Sequence, residues 1–148
     1  MKSNKGFTLI ELLAVIVILA IIALIATPTI LGVIETARKG SAEQSALGYI
    51  DAVEKQVAID MLDEKNKKVT ISNGSITVPV TGLTVKGTAP SAGTITINET
   101  TGIISESYLV VTLSGKSYCV EYKTSGSQVK AIANASSTCD ASVFKPGE

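Results

Sequence analysis

Few residues in this chain are placed to do chemistry. The 148 residues include no histidine and two cysteines, Cys119 and Cys139. General acid–base catalysis and zinc binding most often draw on histidine, so its absence counts against both. Two cysteines can form a disulfide or stay as reduced thiols, but alone they do not complete a zinc site. No glycine-rich phosphate loop and no nucleophile elbow occurs. Three Asn-x-Ser/Thr triplets, at Asn73, Asn98 and Asn134, read as incidental in a chain rich in Ser, Thr and Asn. Lysine and arginine together number 13 and aspartate and glutamate 13. That balance provides no strong basic field, so no dedicated nucleic-acid site is expected. We expect no enzymatic activity, no cofactor and no metal.

One carboxylate stands apart. Glu11 lies at the start of an apolar run, Leu12 to Ala26, that is unbroken for fifteen residues. No charged residue occurs from Leu12 to Ile34, a stretch of twenty-three residues. About twenty apolar helical residues cross a ~30 Å hydrocarbon layer, so residues 7–34 can span a membrane. A charge at the centre of such a helix costs roughly 2.5–3.5 kcal/mol, and less near its end. Glu11 is therefore either a headgroup-level carboxylate or an intramembrane charge that awaits a partner.

The elements around Glu11 set its orientation. Lys2 and Lys5 precede the run, and the next basic residues are Arg38 and Lys39. Positive charge in a short N-terminal tail favours keeping that tail in the cytoplasm. A secretory signal peptide would carry a small-residue cleavage site after its apolar region. Here Gly6 precedes the run, and the run continues into a polar helical pattern.

Gly6-Phe7-Thr8-Leu9-Ile10-Glu11, followed by the aliphatic run and Pro28, resembles the class III leader and N-terminal helix of type IV pilins and their pseudopilin relatives. The resemblance covers roughly the first thirty residues. It implies a leader at residues 1–6, cut by a prepilin peptidase between Gly6 and Phe7, and N-methylation of Phe7. It implies that Glu11 neutralises the terminal amine, on Phe7, of a neighbouring subunit during assembly. Where many members carry a helix-loosening glycine this chain has Ala20, which leaves Pro28 as the main helix breaker. The resemblance also implies a Cys119–Cys139 disulfide that staples the C-terminal segment to the sheet.

The rest of the chain reads as α+β. Residues 7 to about 63 form one long helix, with a transmembrane or filament-core half at 7–34 and an amphipathic half at 35–63. Pro28 removes a donor and crowds the carbonyl of Leu24, so a kink is expected there. Ala42, Ala46, Tyr49, Ile50, Val53, Val57 and Met61 recur at steps of three and four and mark a buried stripe. Glu43, Asp51, Glu54, Lys55 and Asp60 fall on the other face. Asp63–Lys68 reads as a helix exit and solvated loop.

From residue 64 to 148 an antiparallel sheet domain is expected. Alternation predicts strands at Val69–Ser72, Ser75–Val80, Thr94–Asn98, Ile103–Leu113, Lys116–Lys123 and Gln128–Ala133. Ser114-Gly115 and Ser125-Gly126-Ser127 are turn signals. Thr81–Gly93 reads as an exposed loop. The last three strands form a meander, with one sheet face on the helix stripe. The resemblance implies the same architecture, that of the type IV pilin fold.

The expectation is thus a structural subunit, a major pilin, for adhesion or motility. It sits in the cytoplasmic membrane as a single-pass N-in protein, then joins a homopolymeric helical filament at the cell surface. Assembly ATPase motors and a platform protein would act on it. The alternatives are a minor pilin or pseudopilin of a secretion or competence machine, and an uncleaved membrane-anchored binding domain.

Overall fold

The computed structural model describes residues 6–132 and 139–145. Met1–Lys5, within the expected leader, and the Asn134 triplet lie outside the described residues. Helix α1 spans Leu9–Leu62, 54 residues, with Pro28 inside it. The chain divides into two compact units, Met1–Ala37 and Arg38–Glu148.

In the first unit the aliphatic side chains of α1 are exposed all round, Phe7 at 86% and Ile16 at 55%. A helix apolar on every side has no polar face to turn to water. By length and composition α1 can cross a membrane. Pro28 leaves the Leu24 carbonyl without its helical donor. One residue earlier, the Thr27 hydroxyl donates to the Ala23 carbonyl at 2.6 Å.

In the second unit, α1 packs on a five-stranded antiparallel meander: β1 (Ser75–Val78), β2 (Ala92–Ile97), β3 (Ile104–Leu113), β4 (Lys116–Lys123) and β5 (Gly126–Ile132). The fold is α+β, as expected. Ser114 and Gly115, both at positive φ, make the two-residue turn between β3 and β4. The inner sheet face supplies Ile76, Ile95, Leu109, Val111, Tyr118 and Val120. These meet Ala42, Ala46, Tyr49, Ile50, Val53 and Val57 of the helix stripe in one core. The Ser127 hydroxyl of β5 donates to the Glu43 carboxylate, a further tie between sheet and helix.

The helix exit corrects the expected stripe. Met61 is 43% exposed, whereas Asp60 is buried at 5%. The Asp60 carboxylate accepts the backbone N–H of Val69 at 2.7 Å and of Lys68 at 2.9 Å, and the Gln56 amide at 2.7 Å. A buried carboxylate needs such donors, and these turn Asp60 inward. The same bonds commit the backbone after α1 to the helix end. Val69–Ser72 therefore forms no strand and meets β1 only at the bridge Ser72–Ser75. Between them, Glu64–Asn66 forms a 3-10 turn capped by Asp63, where a plain loop was expected.

Two further boundaries shift for identifiable reasons. β1 stops at Val78 because Pro79 has no N–H to donate and the Val80 N–H goes to the Tyr49 hydroxyl at 2.7 Å. The segment after β1 is not a wholly exposed loop. Leu83 and Val85 pack against the core, Pro90 is fully buried, and Ala92–Gly93 already belong to β2.

Candidate functional site

The start of α1 is built by Thr8 and Glu11. The Thr8 N–H donates to Glu11 Oε2 at 2.9 Å, and the Thr8 hydroxyl donates to the same oxygen at 2.7 Å. The Glu11 N–H returns a bond to Thr8 Oγ1 at 3.3 Å. This is a capping box, a Thr at the N-cap with a Glu three residues on, which satisfies helix-end donors reciprocally. The carboxylate also sits at the positive end of the helix dipole. The sequence reading treated Glu11 as a lone charge and missed Thr8, although the Thr-x-x-Glu spacing before an apolar run is itself the signal.

In the single chain, then, Glu11 is already hydrogen-bonded, through Thr8. The terminal residue of the expected mature chain, Phe7, is 86% exposed, and nothing lies within 4 Å of where a Cβ on Gly6 would stand. Gly6 and Phe7 are both exposed.

Cys119 and Cys139 are joined in a disulfide with Cα atoms 5.4 Å apart. It fastens the segment before a short helix, α2 (Ala141–Phe144), to the outer face of β4. Asp140 caps α2 by accepting the Ser142 N–H at 2.8 Å, and Lys130 of β5 donates to the Val143 carbonyl at 2.7 Å. On the same sheet face, Lys123 lies 2.6 Å from Glu121 and 3.2 Å from Glu106, and Tyr108 donates to Glu106 at 2.6 Å. Burial, then the hydrogen bonds and charges of Glu106 and Glu121, push the Tyr108 phenol up to about 12. The Tyr108 hydrogen bond holds Glu106 below the usual carboxylate range, against burial and with help from Lys123. Lys123 thus pairs with Glu106 across the strands and with Glu121 along its own strand, and the first of these is a cross-strand brace. Among the described residues no three of His, Cys, Asp or Glu stand together to hold a metal ion.

Residues 1–27 match the family described as the prokaryotic N-terminal methylation motif. That match covers Gly6, Phe7, Thr8 and Glu11 and most of the exposed apolar run. No curated protein and no solved structure matches the chain. The motif supports a prepilin of the type IV pilin or pseudopilin kind.

Proposed function

We propose that this chain is the structural subunit of a type IV pilus, and its major pilin. A prepilin peptidase cuts between Gly6 and Phe7, and Phe7 is methylated on its new amine. The subunit waits in the cytoplasmic membrane with its N-terminus inside. ATPase motors and a platform protein then move it into a helical surface filament that serves adhesion or motility. The observation that carries this reading is the coincidence of the methylation motif with a helix start that is exposed, apolar and capped by one carboxylate.

Assembly follows from the chemistry of that start. Methylation keeps a basic amine, which is cationic near neutral pH. Thr8 lowers the cost of holding the Glu11 carboxylate at the edge of a bilayer, because a hydrogen-bonded charge is less costly to desolvate. The methylated amine of a neighbouring subunit then supplies the counter-charge, and low dielectric strengthens the pair. Wrong registers leave both charges unpaired, so the pair selects one axial offset. A kink at Pro28 lets the apolar half bend where it packs among other helices. Identical subunits related head to tail give an open helical assembly.

Glutamine can serve the capping box as glutamate does, but it carries no charge. Glu11→Gln should therefore leave leader cleavage and membrane insertion intact while filament yield collapses. Shearing filaments from cells and blotting shear and membrane fractions checks this. Filaments at the native level from Glu11→Gln would reduce Glu11 to a helix cap and remove the charge-pairing account.

A further inference from the structure

Large apolar side chains are rare on the surface of the Arg38–Glu148 unit, and they are not scattered. Among its described residues, the exposed ones are Ile59, Met61, Leu62 and Ile103. Leu62, the last residue of α1, is 90% exposed, and Ile103, just before β3, is 61% exposed. A Cβ on Gly102 would stand 3.1 Å from Met61 Cε, so the turn between β2 and β3 rests on the end of α1 and brings Ile103 there. Ile59 lies one turn before Leu62 on the same side of the helix. The unit's own core does not use these residues, although Val53 and Val57 on the preceding turns are buried in it. A cluster of apolar side chains on an otherwise polar surface marks an interaction site.

What covers the cluster follows from what else the chain leaves uncovered. The large side chains of the apolar half of α1, from Phe7 to Ile34, are exposed on every side. That half needs apolar neighbours once it leaves a bilayer. It matches the cluster in kind, aliphatic against aliphatic. Both surfaces lie on one helix, so a second copy set parallel and displaced along the helix axis brings its apolar half beside the end of the first copy's α1. Pairing of one cluster with another would bury only these four side chains a side, whereas a stable two-fold interface takes about 20–30 residues a side. Two different surfaces of one chain make a heterologous contact that repeats without closing.

We propose that Ile59, Met61, Leu62 and Ile103 form a docking surface for the apolar half of α1 of a second copy. This contact rests on the filament reading above and adds to it the face of the sheet-bearing unit that a neighbouring helix covers.

The test uses filaments sheared from cells that express the full chain. Leu62→Cys is combined in turn with Leu24→Cys, Leu31→Cys and Val33→Cys, all at exposed positions of the apolar half, and a mild oxidant is added. At least one pair should give a ladder of covalent multimers on a non-reducing gel, and Leu62→Cys alone should stay monomeric. Leu62→Gln with Ile103→Gln should leave the circular dichroism spectrum, leader cleavage and membrane insertion unchanged, because both side chains are exposed in the single chain. Its filament yield should fall about tenfold, since apolar burial between copies is lost. No ladder from any pair, a dimer from Leu62→Cys alone, or native filament yield from the glutamine variant would each overturn the proposal. If the native chain itself forms no filaments, the filament reading fails first and this contact falls with it.

Discussion

Two carboxylates mark the ends of α1, and their surroundings differ in a way that sequence spacing alone does not reveal. Glu11 stands where the helix dipole favours an anion, and Asp60 where it opposes one. Asp60 is tolerated because it gathers three donors from Gln56, Lys68 and Val69. Burial pushes its carboxyl up, but the Val69 N–H, the Gln56 amide, the Lys68 N–H and the Lys68 charge together hold it below its ordinary value of 3.8. A depressed carboxyl stabilises the fold above the unfolded value and loses that contribution as pH falls through the folded value. Thermal melts of the full chain in micelles should therefore show stability falling below about pH 4, with a shallower fall in Asp60→Asn. Asp60→Ala should lose about 3 kcal/mol at neutral pH, because it strands the N–H groups of Lys68 and Val69. A native melting temperature in Asp60→Ala would mean that water serves those groups equally well.

At the scale of elements, the long helix and the last three strands were legible because their signals are redundant. The apolar run, the spacing from Ala42 to Val57 and the Ser114-Gly115 turn each point one way. What was not legible depended on single bonds between distant residues. Tyr49 reaches Val80, and Asp60 reaches Val69, and neither bond leaves a trace in local periodicity. The early β2 start at Ala92 has a similar origin. A Cβ on Gly93 would stand 2.2 Å from the Tyr108 carbonyl, and its φ is +144°. Gly93→Ala should force β2 from β3 and cost roughly 3 kcal/mol or more, as strain and overpacking add. Chemical denaturation in micelles would measure it, and an unchanged midpoint would contradict the packing described. The disulfide closes a sequence separation of 20 residues. Replacing Cys119 and Cys139 together by alanine should cost roughly 3 kcal/mol by the loop-closure argument. The same denaturation midpoint reads that loss, and a variant as stable as the native chain would show the clasp on β4 to be dispensable.

Across the whole molecule, the two units answer to different surroundings. Arg38–Glu148 buries its own core of helix stripe and inner sheet face. In the other unit the described residues, 6–37, bury almost nothing, and their aliphatic side chains need a bilayer or other helices around them. Burying each large apolar side chain gains roughly 1.5–3 kcal/mol, so a run of this length favours either environment strongly over water. The site at the helix start was half legible. Gly6, Phe7 and Glu11 stood out by type and spacing, whereas Thr8 acts only through hydrogen bonds to a neighbour three residues on. The most direct test of the central claim is the intact mass of the dominant protein in filaments sheared from native cells. The account predicts a chain that begins at Phe7, heavier by one methyl group and lighter by the two hydrogens of the Cys119–Cys139 disulfide. A filament protein that retains residues 1–6 in a strain with an active peptidase, or filaments that lack this chain, would contradict it.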